Sequence, residues 1–433
     1  MKVMARTYIK DLKETIGQDI LIEGFIQAIR DQGGIKFLNI RDVTGVVQIV
    51  ILKSEKEVFD IIKDLTLESV VALEGFAKEE KQAPGGLEVQ AKKLTVLSKA
   101  EPELPIPVVE EKGGDETELI KCFDWRWLDL RKPNKLKIFK VWTELERGFR
   151  DYFASNNYIQ IYAPSFMSTP SETGAEVFEV KYFEQKAYLS QSPQFYKQMA
   201  MASGFEKVFV AGPVFRAEPS YTTRHTTEFT GWDFEISYIK DHYEVMAEQE
   251  KLIVAGFTHL KETVLPDLEV PSIPFPKMTM EEVKEKLKAA GVKSEKRYDM
   301  SPEEEREISK MIKEETGSDF IFITDYHISV RPFYHMRYED KPEFTKSFDL
   351  IYKGVEITTG AQREHRVEVL EKQATEKGMD LAPLQDYVNF FRYGCPPHGG
   401  IGMGPSRIIT RMLELESVKD ATYLPRDVKR LKP

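Results

Sequence analysis

Cysteine is nearly absent: only Cys122 and Cys395 occur in 433 residues, too few and too far apart for a disulfide framework or a zinc ribbon. That scarcity fits a reducing compartment. No apolar run approaches the roughly 18 residues that a spanning helix requires. The start, residues 1–13, mixes charges with apolar residues and has no apolar signal-peptide core. A cytoplasmic location with no membrane partner is therefore expected. Positive charge is also in short supply, with 61 Lys and Arg against 71 Asp and Glu and a net charge of −10. A nucleic-acid partner would need a locally basic face on an acidic body. No repeat or low-complexity tract occurs. A GxxxxGKS/T loop is missing too, which disfavours a Walker-type ATPase.

What is present is the makings of a globular chain of two or three domains, with 41% hydrophobic and 30% charged residues. Over residues 19–97 the pattern is short strands broken by turns. Strands are expected at 19–27, 35–41 and 45–51, a helix at 56–65, and strands at 69–76 and 87–97, with Pro84-Gly85-Gly86 as the last turn. Strand-strand-strand-helix-strand-strand is the order of a five-stranded OB barrel. Pro102, Pro105 and Pro107 and the charged stretch 110–118 then read as a hinge. Beyond it, helices expected at 135–155, 242–262, 280–290 and 302–315 alternate with strands carrying unusual polar residues, an α+β pattern.

Three segments of this second part stand out. Residues 157–164 form a strand ended by Pro164. Next come Val214-Phe215-Arg216-Ala217-Glu218, a polar loop through Arg224 and His225, and a returning strand with Phe229, Asp233 and Glu235. Alternation would place Arg216 with Glu218, and Phe229 with Asp233 and Glu235, on shared faces. Arginine, aromatic and acid interleaved around one loop suit a nucleotide: a guanidinium fork for phosphate, a ring under the base, carboxylates for amino groups. The third segment, Gly399-Gly400-Ile401-Gly402-Met403-Gly404, leads through Arg407 into a helical pattern. Its glycines would let a ligand approach the backbone, and Arg407 in the first turn can stack on a base or reach a phosphate. No βαβ unit surrounds it, so it is not a dinucleotide fingerprint.

A metal site is readable on its own. Residues 347–357 fit a hairpin turning at Lys353-Gly354. Ile351 then faces Glu356, and Asp349 lies diagonal to Glu356 on the same side of the sheet, near enough for both carboxylates to share an ion. Magnesium, which takes oxygen ligands together with substrate phosphates, suits this pair.

In this order, the three segments resemble motifs 1, 2 and 3 of the class II aminoacyl-tRNA synthetases. With the barrel ahead of them, the resemblance covers nearly the whole chain and is closest to the aspartate, asparagine and lysine subgroup. The short stretch between motifs 2 and 3 is similar to the archaeal and eukaryotic form. The resemblance implies an OB anticodon-binding barrel over 1–103, a hinge over 104–134 and a catalytic domain over 135–433 whose antiparallel sheet is flanked by helices.

It also implies roles. Arg216, Glu218 and Arg407 would be the catalytic residues, binding ATP together with Arg224, His225, Phe229, Glu356 and Gly404. Asp349 and Glu356 would hold Mg2+, with Thr359 a further ligand where the family often has serine. Gln191-Ser192-Pro193-Gln194-Phe195-Tyr196-Lys197 matches the segment that in the aspartate-activating members supplies a lysine for the side-chain carboxylate. Arg363 would complete that clamp, and two unpaired cations would reject the neutral amide. Glu172, Ser192, Gln194, Asp233 and Thr359 would complete the amino-acid site, with Glu172, Gln194 and Asp233 for the ammonium. Arg30, Phe37, Gln48 and Glu88 fall where the family reads the anticodon. The implied partners are ATP, L-aspartate, tRNA(Asp), tRNA(Asn) as a second acceptor, and a second copy of the chain packed around Pro164. An asparagine-activating enzyme and a non-catalytic tRNA-binding relative are the alternatives.

Overall fold

A computed structural model describes residues 4–109, 117–171, 176–219 and 222–433. The chain divides into two compact units, Met1–Asp129 and Leu130–Pro433. Of the hinge expected over 104–134, residues 110–116 lie outside the described residues.

The first unit is a closed barrel. Strands β1 (Asp19–Asp31), β2 (Ile35–Arg41), β3 (Val46–Leu52), β4 (Val70–Glu79) and β5 (Leu87–Ser98) close in the order β1-β2-β3-β5-β4. Helix α1 (Lys56–Ile61) lies between β3 and β4. Alternation sets the inside: Ile20, Ile22 and Ile26 from β1, Leu38 and Ile40 from β2, and Val71 and Leu73 from β4 are buried together. Closure leaves no unpaired strand edge.

The second unit is built on an eight-stranded sheet. Helix α2 (Pro133–Ser155) begins with proline at its first turn, where the missing N–H has no intrahelical partner to lose. Strand β6 (Ile159–Gln160) follows. It is only two residues long, against the eight expected, and it pairs in parallel with the sheet edge. A small side sheet holds β7 (Phe166–Met167), β8 (Glu179–Tyr182) and β9 (Gln185–Leu189). Helix α3 (Gln194–Ala202) leads into the antiparallel pair β10 (Lys207–Phe215) and β11 (Glu228–Ser237). Then come α4 (His242–Thr263), β12 (Lys277–Thr279), α5 (Met280–Ala289), α6 (Pro302–Thr316) and β13 (Phe320–Thr324). Both α5 and α6 start with a capping box, Thr279 with Glu282 and Ser301 with Glu304. The hairpin β14 (Ser347–Tyr352) and β15 (Val355–Gln362), helices α7 (Val367–Glu376) and α8 (Gln385–Arg392), strand β16 (His398–Met403) and helix α9 (Pro405–Met412) complete the unit.

The sheet order is β12-β13-β14-β15-β16-β11-β10-β6. Helices α2 and α4 cover one face. Ile138, Val141, Leu145 and Phe149 at helical spacing meet Leu252, Ile253 and Phe257, and both rows pack on Trp232, Phe234 and Ile401 of the sheet. Side chains that point the other way from the same strands are left to build a site.

The glycine-rich stretch is a strand and not the loop its composition suggests. β16 runs between β15 and β11 at the middle of the sheet. A Cβ at Gly400 would stand 2.1 Å from the Phe234 carbonyl oxygen and 2.3 Å from Glu235 Oε2. Close backbone packing, not turning, is what this glycine provides.

Candidate active site

On the open side of the sheet lies a cavity of about 380 Å3. Ser192, Gln194, Arg216, Glu218, Arg224, His225, Phe229, Asp233, Glu356, Thr359, Arg363, Gly404 and Arg407 all line it. The sequence-identified residues thus converge on one place. Lys197 and Asp349 stand behind its wall, and Glu172 lies outside the described residues. Five arginines (216, 224, 331, 363 and 407) face three carboxylates (Glu218, Asp233 and Glu356) across it. Arg224, Arg331 and Arg363 are matched by Glu305, Asp349 and Glu235 behind the wall, so the cavity offers anionic ligands guanidinium forks and not a bare excess of positive charge.

Register puts the first group in place. Val214 pairs with Phe229, and β11 sends Trp232 and Phe234 to the core and Phe229 and Asp233 to the cavity. Arg216 and Glu218 do not sit on a strand, as alternation suggested, because β10 ends at Phe215. The Arg216 N–H still donates to the Thr227 carbonyl oxygen at 2.9 Å, which extends the ladder by one bond. The Arg216 guanidinium lies 5.5 Å from the centre of the Phe229 ring, and its buried Nε has no hydrogen-bond partner among the described residues. A buried donor left unmade is costly, so a ligand oxygen there would be well rewarded.

The floor of the cavity corrects the expectation of two unpaired cations. Lys197 is fully buried and its Nζ donates to Asp233 Oδ2 and to the Ile401 carbonyl oxygen, each at 2.8 Å, with Glu235 Oε2 at 3.4 Å. Arg363 donates from Nε to Glu235 Oε1 at 2.9 Å and from a terminal nitrogen to the Gly400 carbonyl oxygen at 3.0 Å. The physical reason is desolvation: a bare cation this deep costs several kcal/mol, so each is matched by an acid on β11. Burial pushes the Asp233 carboxyl up against the pull of Lys197. At Glu235 burial also pushes upward, but Arg363 and Lys197 together outweigh it and hold that carboxyl low.

The hairpin turns where expected. Lys353 and Gly354 both have positive φ, 45° and 77°, as a two-residue turn requires. Ile351 faces Glu356, and a bulge between Leu350 and Ile351 brings Asp349 opposite Thr359. Thr359 Oγ1 donates to Glu356 Oε1 at 3.3 Å. Burial, then the Asp349 charge, push Glu356 up to about 7. Arg331 lies 2.7 Å from Asp349 Oδ2, while Asp349 Oδ1 is buried without a hydrogen-bond partner among the described residues. Two crowded carboxylates, one with an idle oxygen, fit a divalent cation that takes one or two carboxylates and completes its shell from phosphates. Among the described residues, no group of three or more His, Cys, Asp or Glu side chains suits an all-protein metal cage.

From α9, Arg407 donates to the Glu356 carbonyl oxygen at 2.8 Å, and the Gly404 N–H to that of Ile357 at 2.9 Å. Arg224 is held by Glu305 at 2.8 Å and by the Gly354 carbonyl oxygen at 3.2 Å. His225 Nδ1 lies 2.6 Å from Thr222 Oγ1, and burial and then Arg407 lower its pKa.

In the first unit, the four anticodon candidates meet on the barrel's outer side. Arg30 pairs with Phe37 across β1 and β2, 5.9 Å over its ring. Arg30 donates to Gln48 Oε1 at 3.1 Å, and Gln48 Nε2 to Glu88 Oε2 at 3.1 Å. Phe37 is half-buried and stands outside the barrel core.

Sequence reasoning passed over Arg331, His335, Glu305 and Lys78, the last 2.9 Å from Glu88. A cation and a histidine flanking Pro332-Phe333-Tyr334 were a visible signal for the first two. Glu305 had none, being one of several acids in the first turn of α6.

The chain is similar to known proteins along nearly its whole length. Residues 120–428 match the model of the tRNA synthetases class II (D, K and N), and residues 20–97 that of the OB-fold nucleic acid binding domain. It is 40% identical to the aspartate–tRNA(Asp) ligase of Pyrococcus abyssi, covering 99% of this chain and 100% of that one. It is 41% identical to the aspartate–tRNA(Asp/Asn) ligase of Aeropyrum pernix, over 96% of each. Among solved structures, asparaginyl-tRNA synthetase from Pyrococcus horikoshii complexed with asparaginyl-adenylate superposes with a TM-score of 0.91 at 30% identity, over 99% of this chain and 100% of that one.

Proposed function

The chain belongs to the class II tRNA synthetases of the aspartate, lysine and asparagine group, and we propose that it activates L-aspartate with ATP and transfers the aspartyl group to tRNA(Asp). The observation that carries this reading is the arginine-rich cavity whose floor joins Lys197, Asp233, Glu235 and Arg363. A dicarboxylic amino acid and a triphosphate both bring negative charge to it.

In the first step an oxygen of the aspartate α-carboxylate attacks the α-phosphorus, and the bond to the β-phosphate oxygen breaks. Aspartyl-adenylate and pyrophosphate result. The nucleophile is already ionised at neutral pH, so no general base is needed. Positioning and charge neutralisation carry the rate. Arg216 holds the α-phosphate with the Nε that has no partner among the described residues. Phe229 stacks adenine opposite Arg407, and Glu218 accepts from its amino group. Arg224, His225 and Arg407 take the β,γ end, with the Gly404 backbone beside them. Asp349 and Glu356 would hold Mg2+, with Thr359 beside them, and the ion would neutralise phosphate charge. Gln194, Asp233 and Glu172 receive the substrate ammonium, Ser192 lines its path, and Arg363, backed by Lys197, faces the side-chain carboxylate. In the second step the terminal ribose 3′-hydroxyl of tRNA attacks the activated carbonyl carbon and AMP leaves.

Arg30, Phe37, Gln48 and Glu88 read the anticodon, with unstacked bases laid on the ring. Relatives are named both for tRNA(Asp) and for tRNA(Asp/Asn), and tRNA(Asn) is a second acceptor in this reading. The exposed Tyr162, Phe166, Tyr182 and Phe183 support pairing of two copies near Pro164. No helix among the described residues is long and apolar enough to cross a membrane, in keeping with work in the cytoplasm.

Charging of tRNA(Asp) and tRNA(Asn) transcripts with labelled aspartate tests the function. Aspartyl-tRNA(Asp) is the expected product. No charging of either transcript, with ATP and Mg2+ supplied, contradicts it.

A further inference from the structure

His335 lies on the segment that crosses the cavity floor, forming an isolated antiparallel bridge with Arg363. Its side chain is 2% exposed and lines the cavity. Its Nε2 is 2.9 Å from a terminal nitrogen of Arg363. A guanidinium only donates, so this Nε2 must accept and carry no proton. The ring proton therefore sits on Nδ1, which is buried and has no hydrogen-bond partner among the described residues. Burial, reinforced by the Arg363 and Arg331 charges, holds the imidazole's pKa well below its usual value, which keeps the ring neutral. The backbone is fixed as well, since Gln373 Nε2 donates to the His335 carbonyl oxygen at 3.1 Å.

We propose that His335 is a specificity-determining residue for the amino acid, one ring nitrogen fixing the Arg363 guanidinium and the other presenting a donor to the substrate's side-chain carboxylate. The inference rests on the aspartate reading above. A buried N–H in the wall of a polar cavity is costly when unmade, and a carboxylate oxygen is the acceptor that aspartate activation brings there. The Nε2 contact has a separate effect. It stops the guanidinium from turning, so its charge stays where an acid gains from it and an amide does not.

The two contacts can be removed one at a time. In His335→Gln the longer side chain reaches the Nε2 position and keeps an acceptor for Arg363, but the Nδ1 donor is lost. In His335→Asn a donor remains near Nδ1, and the contact to Arg363 is lost. Initial rates of ATP–pyrophosphate exchange on the full chain, with L-aspartate, L-asparagine and ATP each varied, read the outcome. Both variants should raise the KM for aspartate by about tenfold or more, the range for a hydrogen bond to a charged group. The KM for ATP should stay within about twofold, and kcat should change less than the KM for aspartate. Only His335→Asn should also erode the preference for aspartate over asparagine. An unchanged aspartate KM in both variants overturns the proposal. So does a parallel rise in the KM for ATP and for aspartate, which would mean a structural role. Wild-type exchange with asparagine alone would instead overturn the aspartate reading itself.

Discussion

Lys197 Nζ and Asp233 Oδ2 lie 2.8 Å apart beneath the cavity, and only Asp233 reaches its wall. Any effect of the lysine on a ligand would therefore pass through the carboxylate it holds. Replacing Lys197 by Met would leave a buried acid without its partner and should lower stability by ~3–5 kcal/mol. Aspartate-dependent exchange should be lost. Adding Asp233→Asn to that variant should recover part of the stability and none of the exchange, checked by urea unfolding and initial rates.

Arg216 is the strongest single test of phosphate handling, since its Nε is a buried donor with no acceptor among the described residues. Arg216→Ala should lower exchange by about 100- to 1000-fold, the usual cost of one preorganised donor to developing charge. Exchange near the wild-type rate would refute the assignment.

On the barrel, Phe37 packs outside the core and under Arg30. Phe37→Ala should raise the KM for tRNA by about 5- to 100-fold, the range for one lost base–aromatic stack. Adenylate formation should be spared. Loss of both activities would mean that the ring supports the fold.

Three buried histidines, His242, His335 and His398, should make the protein acid-sensitive above the carboxylate range. Burial pushes His242 and His398 each down to about 4. Between pH 6.5 and 4 the unfolded chain binds more protons at these sites than the folded one. Stability present above pH 6.5 is therefore lost as pH falls, by about 2 kcal/mol per histidine at pH 5. His398→Gln, which keeps an acceptor toward Gln198, should remove that residue's own loss of about 2 kcal/mol between pH 7 and 5 in urea titrations.

Much of this was legible from periodicity. Helices expected at 242–262 and 280–290 are His242–Thr263 and Met280–Ala289, because long amphipathic stripes and capping residues mark their own ends. The barrel strands were equally plain, since alternation and the Pro84-Gly85-Gly86 turn are local signals. The hairpin register next to the turn, Ile351 opposite Glu356, followed from Lys353-Gly354 for the same reason, but the bulge that sets Asp349 opposite Thr359 instead of leaving it simply diagonal to Glu356 did not. What failed was set by tertiary packing. A strand made largely of glycine has no apolar alternation, so β16 read as a loop until Phe234 and Glu235 were seen against Gly400. The partners of Lys197 and Arg363 come from β11, and no spacing along the chain says which acids a buried cation will meet. Glu305 reaches Arg224 from a helix 81 residues away, which leaves no trace in sequence.

In the proposed function the charged floor chooses an acid over its amide. ATP–pyrophosphate exchange run side by side with L-aspartate and L-asparagine, on one preparation and with Mg2+ present, tests it most directly. A kcat/KM for aspartate at least about a hundredfold above that for asparagine is the predicted result, as expected when a buried polar site loses its charged partner. Equal or better exchange with asparagine would contradict it.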